Sequence, residues 1–239
     1  MRFKKHLNEG IFDKIFGKNK EEKSDLREDI IWDILDEKNI FPDSHMKFVK
    51  DPKPYTMKLP EGQTAIHEYL AKASFKKAVD DPGFEEFMEE ILKNPNLLKA
   101  LDRNNNTPLH IIALKIPLTS RVAYSVVYHQ GATMLNNSGV SPLHILGLRG
   151  FKGILKRQES TTLKGYLGNT PAHYLAYYLS HVKYASKSEI EDFISRLHGQ
   201  QPRNDDGHTP ADVLKGNVYV GIPDFPSYIQ LDEKEKLIY

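Results

Sequence analysis

Thr107-Pro108-Leu109-His110 is the stretch on which the fold turns. A threonine side chain caps the free amides at a helix start, a proline in the first helical position loses no bonded N–H, and an apolar residue then enters the core. The tetrapeptide therefore predicts the start of a short inner helix. It returns with drift as Thr64-Ala65-Ile66-His67, Ser141-Pro142-Leu143-His144, Thr170-Pro171-Ala172-His173 and Thr209-Pro210-Ala211-Asp212. From each first residue to the next the steps are 43, 34, 29 and 39 residues. Polar turns lead into the last four phrases: Arg103-Asn104-Asn105-Asn106, Asn136-Asn137-Ser138-Gly139, Gly168-Asn169 and Asn204-Asp205-Asp206-Gly207. Asn, Asp and Gly tolerate positive φ, so these segments predict hairpin-like fingers.

Working outward, apolar residues at helical spacing predict a second, outer helix for each unit. Phe84 to Leu92 forms an extended one, continued by Leu97 to Asp102 into the next finger. Leu118 to Gly131 forms another, with Gly131-Ala132 ending it in a left-handed conformation. The short third step implies a clipped helix around Phe151 to Lys156. Ser188 to Leu197 is the last, with Ile190, Phe193, Ile194 and Leu197 on one side.

The repeated phrase, the polar turns and the paired helices resemble the ankyrin-repeat family over about Leu59 to Gly216. The fold expected is all-α, a solenoid of about five irregular helix-turn-helix repeats with an N-terminal helical extension. Ala65 in place of proline and Asp212 in place of histidine mark the first and last repeats, whose outer faces lack a neighbour. Four regions follow: 1–23 a basic segment and linker, 24–58 an acidic amphipathic helix and connection, 59–216 the repeats, and 217–239 a C-terminal cap or tail. The resemblance also implies that His67, His110, His144 and His173 are structural, each bonding neighbouring turns. Repeat spacing is too long for them to share one metal ion.

The resemblance implies a concave groove lined by the residue after each histidine and those three and four further on. In order these are Glu68, Ala71 and Lys72; Ile111, Leu114 and Lys115; Ile145, Leu148 and Arg149; and Tyr174, Tyr177 and Tyr178. From Ile111 onward the stripe is apolar and aromatic, which suits a partner-binding surface. The alternative is that the chain's own N-terminal helix or C-terminal tail covers these residues and makes them core.

Before the repeats, Leu26, Ile30, Ile31, Ile34 and Leu35 share a helical face after Ser24, and Ser24 to Lys38 holds six acids and two bases. Met1 to Lys20 reverses the balance, with six bases and two acids. The first ten residues, Met1-Arg2-Phe3-Lys4-Lys5-His6-Leu7-Asn8-Glu9-Gly10, resemble capsid-targeting peptides of internal head proteins in large tailed phages. That resemblance implies cleavage between Glu9 and Gly10. The alternative is an amphipathic helix, residues 3–16, that packs on the domain or touches a membrane surface.

The 239 residues carry a formal net charge of +1, which gives no electrostatic footprint for nucleic acid. Cysteine is absent, so thiol chemistry, disulfides and cysteine-ligated metals are excluded. No apolar run reaches the length of a transmembrane helix, and the N-terminus lacks a secretory signal's apolar core. No nucleophile–base set, carboxylate pair, cofactor motif or metal-ligand spacing is recognisable. The function expected is therefore non-enzymatic and cofactor-free: a cytoplasmic module that binds a protein partner through groove and fingers. In the phage reading the partner is a host factor, met in host cytoplasm, and the competing role is an internal virion protein with no host partner.

Overall fold

The computed structural model describes residues 56, 58, 62–72, 83–181, 186–197, 199, 201–216, 218, 220 and 221. The segments expected in 1–55, Glu9 and Gly10 included, and most of 217–239 lie outside these residues. Within them the chain is helical, and no strand is formed; one isolated antiparallel bridge joins Lys58 to Thr64. The α-helices are α1 (Ala65–Lys72), α2 (Gly83–Lys93), α3 (Pro95–Leu98), α4 (Pro108–Lys115), α5 (Arg121–Tyr128), α6 (Pro142–Leu148), α7 (Glu159–Thr162), α8 (Pro171–His181), α9 (Lys187–Arg196) and α10 (Pro210–Leu214). Short 3-10 turns cover Gln130–Thr133, Lys152–Lys156 and Tyr166–Gly168.

Each of the five phrases opens an inner helix, and the inner helices pack in chain order: α1 on α4, α4 on α6, α6 on α8 and α8 on α10. A second layer runs behind them, with α2 on α5 and α5 on the 152–156 turn. One apolar core runs through both layers, from Ala65 and Ile66 to Val213, Leu214 and Val220. At one point the inner layer is very close. A Cβ on Gly147 in α6 would sit 2.4 Å from the Pro171 carbonyl oxygen of α8, so only glycine lets these helices meet.

The outer layer departs from the expected pattern in ways with clear causes. The helix expected over Leu118 to Gly131 is shorter, because Pro117 to Ser120 makes a turn and Ser120 stands at the N-cap. Gly131 is not left-handed; the helix stops at Tyr128, and the His129 ring accepts the Gly131 N–H at 3.0 Å within a 3-10 turn. The clipped third unit has no α-helix at Phe151 to Lys156, only a 3-10 turn followed by α7. The helix expected from Ser188 begins at Lys187, under a capping box between Ser186 and Glu189. Phe193 and Leu197 are buried as the spacing predicts, whereas Ile194 is exposed.

Between layers the chain turns through four fingers of one design. In each, the first residue's N–H donates to the carbonyl four residues on: Asp102 to Asn106 (3.1 Å), Asn136 to Val140 (2.9 Å), Gly165 to Asn169 (2.8 Å) and Asn204 to His208 (3.0 Å). Two residues before every phrase stands a left-handed residue: Gly62, Asn105, Gly139, Gly168 and Gly207, with φ between 59° and 88°. Glycine and asparagine are the types that tolerate this conformation, and it lets each finger hand over to its helix.

Candidate functional site

The histidines of the phrases are fully used as structure. Nδ1 sits 2.7 Å from the Thr64 hydroxyl in His67, 2.8 Å from that of Thr107 in His110, 2.8 Å from that of Ser141 in His144 and 2.9 Å from that of Thr170 in His173. Nε2 faces a carbonyl of the next finger: Asn106 (2.8 Å), Val140 (3.0 Å), Asn169 (3.0 Å) and His208 (2.9 Å) respectively. A carbonyl only accepts, so Nε2 carries the proton and Nδ1 is the acceptor, as the Thr107, Ser141 and Thr170 backbone N–H bonds to Nδ1 also require. With both nitrogens engaged, neither is left to bind a metal. Burial pushes His67, His110 and His144 down to about 4 and also lowers His173. Among the described residues, no group of three or more His, Asp or Glu side chains comes together as a metal site.

The last phrase uses the same cap without the bridge. The Asp212 carboxylate accepts the Thr209 N–H at 3.0 Å and the Thr209 hydroxyl at 2.8 Å. Those two bonds hold its carboxyl well below the usual range, at about 2.

The apolar stripe expected to line a groove is core instead. Ile111, Leu114, Ile145, Leu148 and Tyr174 are each at most 2% exposed, as is Ala71 of the first repeat. Every residue from Pro108 to Leu114 and from Pro142 to Leu148 is buried, because neighbouring inner helices flank each helix and the outer layer backs it. Two basic positions in the stripe are helix staples. Lys115 donates to the Ala71 carbonyl at the end of α1, and Arg149 donates to the Ala113 and Ile116 carbonyls (2.9 and 2.7 Å) at the end of α4. Each places a cation at the negative end of the preceding inner helix. Tyr177 and Tyr178 remain half-buried against the core, Tyr178 with its ring over Gly150 and Tyr177 stacked 3.9 Å from His181. In the first repeat Glu68 accepts from the Gln63 amide at 2.9 Å.

Tyr174 is covered by the chain itself. After α10 the chain returns to the third finger, where Val220 is buried, its carbonyl accepts from the Asn169 side-chain amide, and the Gly221 carbonyl accepts from the Tyr174 hydroxyl at 3.3 Å. Val220 and Gly221 thus cover Tyr174, and the rest of the C-terminal tail lies outside the described residues.

Most of the large apolar side chains that stay exposed lie on or beside the fingers. Leu101, Met134, Leu135, Tyr166 and Leu167, between 37% and 44% exposed, are five of the eight large apolar side chains exposed among the described residues. Leu101 and Leu135 immediately precede the first residues of two adjacent fingers, and Tyr166 and Leu167 form the tip of the third. The fingers are joined edge to edge: the Asn137 N–H donates to Asn104 (2.9 Å), Tyr166 to Gly139 (2.9 Å) and Asp205 to Leu167 (3.1 Å). This ladder makes a fixed rim with apolar points on it. Leu167 is itself held left-handed, at φ 54°, which costs a branched residue about 1–2 kcal/mol.

Sequence reasoning placed the fingers but gave them no apolar anchors; a leucine directly before each of the first two turns was the signal. The remaining large exposed residues, Tyr124, Tyr128 and Ile194, lie on the outer helices α5 and α9. There the Lys156 ammonium sits 5.0 Å from the centre of the Tyr124 ring. Among the described residues no helix is long and apolar enough to cross a membrane. No protein-family model matches the chain, and no curated protein matches it.

Proposed function

We propose that this chain is an ankyrin-type repeat protein that acts by holding a protein partner against its finger rim, without catalysis. The observation that carries the reading is the division of apolar side chains. The inner helices bury theirs wholly or, at Tyr177 and Tyr178, in part, while Leu101, Met134, Leu135, Tyr166 and Leu167 stand out on or beside loops bonded into one rigid ladder. A rim of this kind loses little conformational freedom on docking, and its apolar points supply anchors between polar asparagines. The groove floor first expected to bind has no open apolar surface to offer from Ile111 to Tyr174.

The repeat reading is supported by the recurrence of one hydrogen-bond pattern: cap to Nδ1, Nε2 to the next finger, four times in chain order. The phage reading rests on the tag-like Leu7-Asn8-Glu9-Gly10, and an N-terminus at Gly10 in assembled particles is its test.

Pull-down from bacterial lysate tests the rim. The double variant Leu101→Asp, Leu135→Asp places charges on exposed side chains, so its melting curve is expected to match the parent's. Its recovery of a partner is expected to fall at least tenfold, whereas Tyr177→Ser leaves recovery unchanged. Equal recovery by parent and rim variant overturns the proposal.

A further inference from the structure

Val218, Val220 and Gly221, which follow α10, are held differently from the fingers. Neighbouring fingers are tied by backbone hydrogen bonds, yet among the described residues no backbone-to-backbone hydrogen bond joins Val218, Val220 or Gly221 to the stack. The contact is made by side chains that read two successive carbonyls: the Asn169 amide on Val220 and the Tyr174 hydroxyl on Gly221. Both readers are fixed from behind. Asn169 accepts the Asn204 amide on its side-chain oxygen (3.0 Å) and the His144 ring on its backbone carbonyl (3.0 Å), while Tyr174 packs edge-on to His144. The seat is therefore built by the third finger and α8, and its two donors are oriented by groups outside the segment.

The seat also selects by size. Val220 fills it and is 1% exposed, and Gly221 adopts φ 61° against the finger tip. A Cβ on Gly221 would lie 2.7 Å from the Leu167 side chain and 3.1 Å from the Tyr166 ring. An apolar residue followed by glycine satisfies this geometry, and a larger second residue does not.

We infer that Asn169, Tyr174, Tyr166 and Leu167 form a binding site for a peptide carrying an apolar–glycine pair, filled in cis by the chain's own Val220-Gly221. The inference deepens the proposed rim, with which it shares Tyr166 and Leu167. Held by side-chain bonds, the buried Val220 and the half-buried Val218, and lying beyond α10, these residues open without the stack unfolding, so a partner segment of the same chemistry can take their place. The covalent link gives the cis segment a high effective concentration, which makes it a self-ligand that a partner must outcompete.

The test uses a labelled synthetic peptide, Gly216–Pro223, followed by fluorescence anisotropy. A chain ending at Leu214 that retains its helical circular dichroism is expected to bind the peptide saturably, and the full chain at least tenfold more weakly. A peptide with Gly221→Val is expected not to bind. Tyr174→Phe in the shortened chain should weaken binding about fivefold, the loss of one hydrogen bond. The double variant Leu101→Asp, Leu135→Asp, which disables the rim away from the seat, should leave peptide binding unchanged, so failure of the rim and failure of the seat give different patterns. Absence of binding by a folded shortened chain overturns the inference, as does equal binding by both chains. If the shortened chain does not fold, the full-length Gly221→Val variant decides. Native melting with gained peptide binding supports the seat, and loss of cooperative melting shows that the segment is ordinary core and overturns it.

Discussion

His144 and Asp212 stand at the same place in an interior phrase and in the last one, and only one of their two tasks is shared. Each caps its own helix, His144 through Nδ1 on Ser141 and Asp212 through its carboxylate on Thr209. His144 then reaches out with Nε2 to the Asn169 carbonyl of the next finger, which a carboxylate cannot do because it has no proton to donate. At the four phrases followed by a described finger, a neutral ring is buried against that finger; at the last, beyond which the described residues hold no finger, a half-exposed acid suffices. Acid pH, exchange of the two residues in one direction, and exchange in the other each bear on that difference.

Lowering the pH should separate the two most. A histidine can accept at Nδ1 and donate at Nε2 only while neutral. Burial pushes His67, His110 and His144 down from 6.5 to about 4, so their folded-state pKa lies below that of the unfolded chain. Their contribution is therefore complete above pH 6.5 and is lost as pH falls towards 4, because the unfolded chain takes up protons first. Asp212, held at about 2, keeps its cap across that whole window. Each histidine costs up to about 1.4 kcal/mol per pH unit, so three together approach about 4 kcal/mol per unit. By pH 4 the loss reaches about 9 kcal/mol, so a domain in the lower part of the ordinary range of about 5–15 kcal/mol unfolds before that pH. Urea unfolding at pH 7.5, 6.0 and 5.0 measures this, and a flat stability between 6.5 and 5 would contradict the assigned tautomer and burial.

A smaller effect is expected from placing the terminal residue in an interior phrase. His144→Asp can retain the cap on Ser141, but it leaves the Asn169 carbonyl with the Gly165 N–H as its one remaining donor and puts a charge where His144 is 1% exposed. The loss should be about 2–4 kcal/mol, on the order of 10 °C in Tm. Thermal melting at pH 7.5 checks it. A change under 2 °C would mean that the bridge to the next finger contributes nothing.

The same contrast explains which parts of the molecule could be read from the sequence. Five phrases located five inner helices, and the turn residues located the fingers, because a cap, a proline and a left-handed glycine act within four residues of where they stand. The binding stripe failed for a reason that is also visible in the residues. Pro108-Leu109-His110-Ile111-Ile112-Ala113-Leu114 has no polar side chain but the histidine, and Pro142 to Leu148 has the same character. A helix apolar on every side is buried on every side. Selecting one face of it as a groove assumed a solvent-facing side that these residues never had. Lys115 and Arg149 looked like partner anchors since their true acceptors, at the ends of helices more than thirty residues earlier, are set by the stacking and not by local spacing. The Val220-Gly221 seat was invisible for the same reason: it joins residues about 50 positions apart.

The smallest effect should come from the opposite exchange. Asp212→His gives the last phrase the interior residue, with Thr209 still present to bond Nδ1, but among the described residues no finger follows α10 to offer Nε2 a carbonyl. The ring would then cap its helix and turn Nε2 to water, so Tm at pH 7.5 is expected to stay within about 2 °C of the parent. Because this histidine would not be buried, it should titrate near 6.5 and add little to the acid instability of the other three. A clear rise in Tm would instead require an acceptor in the chain beyond Leu214, placed where a fifth finger would stand. The variant therefore tests whether the array ends at the phrase whose histidine has been replaced.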